Sequence, residues 1–375
     1  MSQRLSDIFH LDEEDNQELI DGIHAVHPYP GRMHPLWARR LLAELPEGAS
    51  VVDPFCGAGT VLVEARVAGL HARGNDINPV AVRLARLRVI PPPDPDRLRV
   101  VARDCAAGSV KRRETPFSAL AQGEKDFAPH VLATLIALRD EIEGATRGAS
   151  GTGPQAVAAQ RLREGLIFSL SPLLDKFSAR SDRAASKVSP ETVCKHFVER
   201  ADRWATYFEA MATYRYAEAE FGDARWLPWK PGTADAIITS PPYPGVFDYV
   251  ASQARRAKWL GETTELVTAS EKKEIGRRSG PPLWADDMVI AVKQMARTLK
   301  PGGILFMVVG DGVARDGNAG NVAIFADDVL VNEGERQGLA LTAMVSQTRP
   351  HFHRHSADAF GNRPRQEHLM AFRKV

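Results

Sequence analysis

The sequence predicts an α/β fold around a doubly wound, largely parallel sheet, and three observations lead there. A short apolar run, Ser50-Val51-Val52-Asp53, breaks into the turn Pro54-Phe55-Cys56-Gly57-Ala58-Gly59 and then into a helical pattern, Thr60 to Ala68, stopped by Gly69. A second run, Ala72 to Ile77, ends in Asn78-Pro79, an N-cap followed by a first-turn proline, with Val80, Leu84 and Leu87 on one helical face. Strand, turn and helix repeated in this order start a parallel sheet. Further along, Ala234 to Thr239 reads as a strand and Ile304 to Val309, a continuous apolar run, as a buried strand.

The remaining elements follow in chain order. Trp37, Leu41, Leu42 and Leu45 recur at helical spacing behind Pro35 and predict a helix leading into the first strand. After Pro91-Pro92-Pro93 the apolar spacing turns helical and stays so to about residue 215. This stretch is expected to be an insertion. Val131, Leu135, Leu138 and Ile142 mark one of its helices, Arg161 to Leu174 a second, and Ser189-Pro190 starts a third with Val193, Phe197, Trp204, Phe208 and Met211 buried. Residues 144–153 form a Gly/Ser/Thr linker. Met288, Val292, Met295 and Leu299 predict a helix closed by Lys300-Pro301-Gly302-Gly303. Leu339 to Val345 and His368 to Phe372 are expected to pair as an antiparallel ribbon at the sheet's edge. The division is therefore a polar N-terminal segment (1–20), the first part of a Rossmann-like domain (21–95), a helical insertion (96–215) and the second part of the domain (216–375).

Composition narrows the function classes. With 48 Lys+Arg against 47 Asp+Glu the chain is not a globally basic protein that coats nucleic acid by counterion release. Any such contact must be local. Cys56, Cys105 and Cys194 lie far apart without a CxxC pair, so neither a zinc site nor a disulfide framework is suggested. A reduced, cytoplasmic protein is the expectation. No signal-peptide pattern and no long apolar stretch occurs, which argues against secretion and membrane spanning.

The turn Asp53-Pro54-Phe55-Cys56-Gly57-Ala58-Gly59-Thr60 stands at the carboxyl end of the first strand, where backbone must pass close to a nucleotide-like ligand and a Cβ at Gly57 or Gly59 would clash. Leu62 takes the place of the third glycine of a dinucleotide fingerprint, so a phosphate-free nucleoside cofactor fits better than a pyrophosphate. Asp76, ending the second strand, is placed to accept from ribose hydroxyls, with Ile77 beside it. Thr239-Ser240-Pro241-Pro242-Tyr243 follows a later strand. These two segments resemble the cofactor and catalytic motifs of amino-group DNA methyltransferases, and the resemblance extends to two more. His27-Pro28-Tyr29-Pro30-Gly31-Arg32 is similar to the family's N-terminal motif near the methionine end of the cofactor, although Gly31-Arg32-Met33 stands where a lysine-and-aromatic pairing is expected. In Gly222-Asp223-Ala224-Arg225, Asp223 would meet the adenine amino group. The resemblance implies S-adenosyl-L-methionine as cofactor, double-stranded DNA as substrate, and a restriction-linked or orphan modification role with a cognate endonuclease in the former case.

The chemistry suits the residues. An exocyclic amine on a base is a poor nucleophile because its lone pair is delocalised into the ring. Acceptors held against its N–H groups localise that pair; the Ser240 hydroxyl and Pro241 carbonyl are candidates, Pro241 and Pro242 fix the backbone, and Tyr243 offers a flat face to an extruded base. A serine at the head of the motif can accept from cytosine N4 and donate to N3, so cytosine N4 is the leading target. Adenine N6, RNA guanine N2 and a DNA-binding protein that kept the fold without catalysis are the alternatives. Lys176, Arg180, Arg183 and Lys187, in the insertion, and Arg349, Arg354, Arg363 and Arg365, between the last two strands, are candidate DNA contacts. The insertion is expected to interrupt the fold at a point facing the active-site end and to supply target recognition. His351, His353 and His355 alternate but lack acidic or thiolate partners, and no metal site is expected.

Overall fold

The computed structural model describes residues 2–12, 14–17, 22–111, 124–148, 151–178, 187–277, 283–316, 320–350 and 358–375. Its strands are β1 (Ser50–Asp53), β2 (His71–Asp76), β3 (Glu218–Phe221), β4 (Ala234–Thr239), β5 (Leu299–Gly310), β6 (Gly312–Asp316), β7 (Gly320–Ile324), β8 (Leu339–Thr348) and β9 (Gln366–Lys374). Its helices are α1 (Ser2–Phe9), α2 (Pro35–Leu42), α3 (Thr60–Val67), α4 (Pro79–Val89), α5 (Pro95–Lys111), α6 (Pro129–Ala145), α7 (Pro154–Leu170), α8 (Leu173–Lys176), α9 (Pro190–Met211), α10 (Tyr249–Ser252), α11 (Ala254–Leu260), α12 (Thr264–Lys273), α13 (Trp284–Thr298) and α14 (Ala326–Arg336).

Seven strands form one sheet in the order β3-β2-β1-β4-β5-β9-β8, and β6 with β7 makes a separate ribbon. β1 to β5 are parallel, while β9 runs antiparallel to both β5 and β8. The order reverses between β1 and β4, and in open α/β sheets that crevice at the carboxyl ends receives ligands. This is the doubly wound, Rossmann-like architecture with an antiparallel edge ribbon.

Alternation along the strands builds two cores. Val51, Ile238, Phe306 and Val308 pack with α2, α3 and α4 on one face; Val52, Ile237, Leu305 and Met307 pack with α13 and α14 on the other. The Asn78 side chain caps α4 by accepting from the backbone N–H of Val80 at 3.0 Å. Leu299 pairs with Ala234 and Ile304 with Ala236, so β5 begins earlier than expected and Pro301-Gly302-Gly303 bulges out of it.

The helical stretch is α5 to α9, and its apolar residues belong to the same core as α2 to α4. The backbone N–H of Ala217 donates to the Val89 carbonyl at 3.1 Å, so the insertion leaves and returns at one point. That point lies at the amino end of β3, because α4 has carried the chain back from the carboxyl end; the expectation that the insertion enters facing the active site is corrected. Buried Arg66 donates to the carbonyls of Arg88 (2.5 Å), Arg215 (2.6 Å) and Met211 (3.1 Å), satisfying the orphan end of α9 and the turn after it.

The N-terminal segment is also corrected: residues 2–9 form a packed helix. Leu5, Ile8 and Phe9 are buried at i, i+3, i+4 spacing, and the Phe9 carbonyl accepts from Trp37 Nε1 (3.1 Å) and Gln347 Nε2 (2.9 Å). The polar count of the segment hid this amphipathic stripe. β3, too short and charged to show alternation, and α5, α12 and α14 were not anticipated.

Arg66→Met should lower stability by about 3 kcal/mol or more, since hydrogen bonds from a charged donor contribute roughly 1.5–3 kcal/mol each. A urea midpoint equal to that of the parent would show that the insertion is not held through this guanidinium.

Candidate active site

Two loops meet at the carboxyl ends of β1 and β4. Asp53 ends β1 and Thr239 ends β4; both are buried, and the Thr239 hydroxyl donates to the Asp53 carboxylate at 2.6 Å. The same oxygen accepts from the Phe55 N–H at 3.1 Å. Asp53 thus supports the two loops from beneath, and with Thr60 it faces a small cavity of about 30 Å³ under the main one.

The main cavity has a volume of about 1030 Å³ and lies above the switch in strand order. Of the residues expected to hold the cofactor, Tyr29, Phe55, Gly57, Asp76, Ile77, Asp223 and Ala224 line it. Gly57 has φ +50°, and a Cβ there would meet nothing nearer than Tyr29 Cε1 at 3.9 Å, so its open side faces the cavity. Asp76 accepts from Gly57 N and Asn78 N, each at 2.8 Å, so its carboxylate holds the glycine turn while facing the cavity. Asp223 is more heavily engaged, accepting from Arg225 N (2.9 Å) and from the Arg225 guanidinium (2.7 Å).

Two expectations are corrected. The His27 ring is buried away from the cavity, its Nε2 2.6 Å from Ser171 Oγ and its plane at 77° to the Phe168 ring, so it joins the N-terminal motif to the insertion. Gly59 is needed for packing: with φ +81° it precedes α3, and a Cβ would sit 3.1 Å from the Ala85 Cβ.

The catalytic-motif residues Ser240, Pro241, Pro242 and Tyr243 line the same cavity. Trp284 Nε1 donates to the Pro242 carbonyl at 2.7 Å, fixing the loop's backbone and leaving the Pro241 carbonyl as the candidate acceptor. The Tyr243 ring lies against Gly310, where a Cβ would stand 2.7 Å from it, and its hydroxyl donates to Glu367 at 2.5 Å. Gly31 has a similar reason to be glycine: it carries φ +65°, and any side chain would strike the Tyr249 ring at 2.5 Å. Arg32 donates to the His24 carbonyl at 2.6 Å, so the departure Gly31-Arg32 is a seat for an aromatic wall.

The DNA-contact expectations divide. Arg349 lines the cavity and pairs with Glu367. Arg365 is buried and donates to the Asp311 and Pro350 carbonyls, so it is a structural cation and not a DNA contact. Arg363 is likewise engaged within the protein, pairing with Asp327 and Asp328 and lying over the Phe325 ring. Lys176 and Lys187 are exposed. Arg180, Arg183 and Arg354, and the three alternating histidines, lie outside the described residues. The three cysteines are buried and unpaired. Among the described residues no helix is long and apolar enough to cross a membrane.

Sequence reasoning missed Asn78, Tyr249, Glu274 and Glu367, all lining the cavity. Glu367 had a signal: it is in phase with core residues Leu369 and Ala371, an inward charge on a buried strand. Glu274 had none, because its place comes from capping, with its carboxylate accepting from Tyr249 N at 2.6 Å.

Burial pushes the Asp53 carboxyl up to about 7, the Asp76 carboxyl to about 6 and the Glu274 carboxyl to about 7. In the supporting layer, His24 accepts from Arg88 through Nδ1 (2.7 Å) and faces Glu64 through Nε2 (2.7 Å), and burial lowers its pKa to about 4.

Comparison with known proteins adds the chemistry. Residues 28–111 match the family model described as UPF0020: RMKL-like, methyltransferase domain. This part of the chain carries the sequence of a methyltransferase domain. The chain is 38% identical over 73 residues to Type II methyltransferase M.MvaI of Kocuria varians, covering 18% of this chain and 16% of that protein. It is 32% identical over 74 residues to Type II methyltransferase M.MjaII of Methanocaldococcus jannaschii, covering 20% and 14%. It is 42% identical over 52 residues to a tRNA (guanine(10)-N2)-dimethyltransferase of Methanothermobacter thermautotrophicus, covering 13% and 16%. The chain therefore spans about one sixth of the length of these relatives. It also overlaps a SAM-dependent methyltransferase structure from Methanosarcina mazei at 12% identity, 89% and 96% coverage and a TM-score of 0.36; the sheet order above, and not this overlap, defines the fold.

The raised carboxyls set a pH dependence. An acid whose folded pKa exceeds its unfolded value takes up a proton on folding, so between about 4 and 7 Asp53, Asp76 and Glu274 make stability fall as pH rises. His24 and His27, held neutral by burial, act oppositely and cost stability as pH falls below 6.5. Because the three carboxyls outweigh the two histidines, stability of the ligand-free protein should fall as pH rises from about 5 to 7, and Asp53→Asn should flatten that decline. Thermal melts across that range that keep the parental slope would show that Asp53 does not carry the proton.

Proposed function

We propose that the chain is an S-adenosyl-L-methionine-dependent methyltransferase acting on an exocyclic amino group of a DNA base, cytosine N4 first. The observation that carries this reading is the shared cavity: the Gly57 turn and Asp76 form one wall, and Ser240 to Tyr243 form another. The fit to the cofactor rests on chemistry already described, namely an open glycine face, a carboxylate suited to ribose hydroxyls at the end of β2, and an aromatic, acidic surround for a cationic methyl donor. When bound, S-adenosyl-L-methionine supplies a methyl group on a positively charged sulfur.

The protein's part is to position. Pro241 and Pro242 stiffen the loop, and Ser240 and the Pro241 carbonyl accept from the amine N–H groups so that its lone pair turns out of the ring. S-adenosyl-L-methionine, held by the Gly57 turn and Asp76, would supply the methyl group, and the proton released from the amine would pass to water. No covalent enzyme intermediate is needed. DNA as substrate is supported by the two Type II methyltransferase relatives, and the serine at the head of the motif favours cytosine by the resemblance already drawn. Arg349, Lys176 and Lys187 are assigned to phosphates, and the insertion to target recognition. A cognate endonuclease would accompany a restriction-linked role. The tRNA relative favours one second reading, methylation of guanine N2 in RNA.

Two outcomes test the proposal. Asp76→Ala should weaken S-adenosyl-L-methionine binding by about 1.5–3 kcal/mol, the value of charge-assisted hydrogen bonds; an unchanged dissociation constant by calorimetry would remove Asp76 from the site. Mass spectrometry of nucleosides from DNA and RNA treated with the purified protein should show N4-methylcytosine in DNA. N6-methyladenine alone would overturn the base assignment, and N2-methylguanine in RNA alone would overturn the substrate.

A further inference from the structure

Residues 249–274 follow the Ser-Pro-Pro-Tyr loop, and they touch two regions of the protein at once. Their two ends form cavity wall. Tyr249 and Glu274 both line the cavity, and the Glu274 carboxylate accepts from Tyr249 N at 2.6 Å and from Val250 N at 3.2 Å. The Tyr249 carbonyl accepts from Asn78 Nδ2 at 3.4 Å, and Asn78 is two residues beyond Asp76. This wall therefore adjoins the one proposed for the cofactor.

The middle of the segment is committed to the insertion. In α11, Arg255 pairs with Glu124 at 3.1 Å and with Asp126, donates to Ser178 Oγ at 3.4 Å, and lies over the Phe127 ring, 5.2 Å from its centroid. Arg256 pairs with Asp175. One turn on, Trp259 Nε1 donates to Glu124 at 3.2 Å, and the Trp259 carbonyl accepts from Arg139 Nε at 2.9 Å. All of these partners belong to the insertion. Just past α11, Arg83 donates to the Leu260 carbonyl and to Glu262, each at 2.8 Å, and also to Glu164 of α7 at 2.6 Å.

Arg256 connects the two regions. Besides its pair with Asp175 it donates to Gln253 Oε1 at 2.9 Å and to the Pro28 carbonyl at 3.4 Å. Gln253 is the buried joint that both ends α10 and starts α11, so the two helices cannot shift independently. Pro28 precedes the cavity residue Tyr29. Arg256 is itself buried, and removing one partner of a buried ion pair leaves an uncompensated charge, so the connection resists being broken.

We infer that Arg255 and Arg256 are positioning residues of the methyl-transfer site: they fix the Tyr249 and Glu274 wall to the insertion, so that a cofactor in the cavity and a target on the insertion are energetically coupled. This inference rests on the proposed function, and it adds the route by which the two sites communicate. Such coupling is reciprocal, so S-adenosyl-L-methionine alone reports it.

The test uses the full-length protein and S-adenosyl-L-methionine as the only ligand. On binding, hydrogen–deuterium exchange should show protection at residues 54–59 and also at residues 124–135, none of which lines the cavity. In Arg255→Met the second response should vanish while the first remains. By calorimetry, the dissociation constant should rise about fivefold or more in Arg256→Met, the lower end of typical coupling between sites. Asp175→Asn changes a side chain that is 58% exposed and outside the cavity, so it decides the matter if Arg256→Met fails to fold; the dissociation constant should rise there too. Arg256→Lys keeps the charge without the fork of donors and should fall between parent and Arg256→Met. Protection at 54–59 with none at 124–135 in the parent, or a parental dissociation constant in Asp175→Asn, overturns the inference and leaves the methyltransferase reading intact. A parent that does not bind S-adenosyl-L-methionine overturns both.

Discussion

The hydrogen bond from Thr239 to Asp53 is the contact on which the rest of the site depends. Each residue is the last of its strand, and the strands are neighbours at the point where the sheet order reverses. Beyond Asp53 the chain becomes the glycine turn, and beyond Thr239 it becomes Ser-Pro-Pro-Tyr. A carboxylate buried there is expensive, as its rise to about 7 shows, and a folded protein tolerates such a cost where the group is hydrogen-bonded. The bond fixes the depth of two loops relative to one another before any ligand arrives. Preorganisation of this kind matters for methyl transfer, whose rate is set by the alignment of nitrogen, carbon and sulfur.

Around that bond the cavity is walled by aromatic rings and carboxylates whose places are fixed by glycine. Tyr249 sits over Gly31 and Tyr243 over Gly310. Asp76, Glu274 and Glu367 each spend hydrogen-bonding capacity on the protein while facing the cavity. The insertion contributes from behind. It shares the core of α2 to α4, is pinned through Arg66, and reaches the N-terminal motif through the contact between Ser171 and His27. Any part it plays in recognition is therefore mechanically connected to the motif beside the cofactor wall, although its entry point is at the far end of the sheet.

Much of this was legible in the sequence because it rests on local rules. Asn78-Pro79 at a helix start, glycine after a strand, and the two-faced apolar run in β5 each have one structural meaning. The two motif loops could be placed together because the parallel sheet brings successive carboxyl ends to one edge. What was not legible depends on tertiary partners. Arg363 and Arg365 looked like a phosphate-binding run beside Arg349, yet Arg365 is spent on carbonyls and Arg363 on Asp327 and Asp328. His27 lies two residues before the cavity residue Tyr29 in sequence but is hydrogen-bonded to the insertion. Gly59 and Gly57 look equivalent, and only the position of Ala85 distinguishes the packing glycine from the cavity glycine.

The central claim is that the two loops joined by Asp53 and Thr239 form one ligand site. It is tested most directly by hydrogen–deuterium exchange of the purified protein with and without S-adenosyl-L-methionine. Peptides covering residues 54–59 and residues 240–253 should both gain protection on binding, and in Thr239→Val the second should lose its response. Protection confined to the first loop, or appearing at neither, would contradict the account.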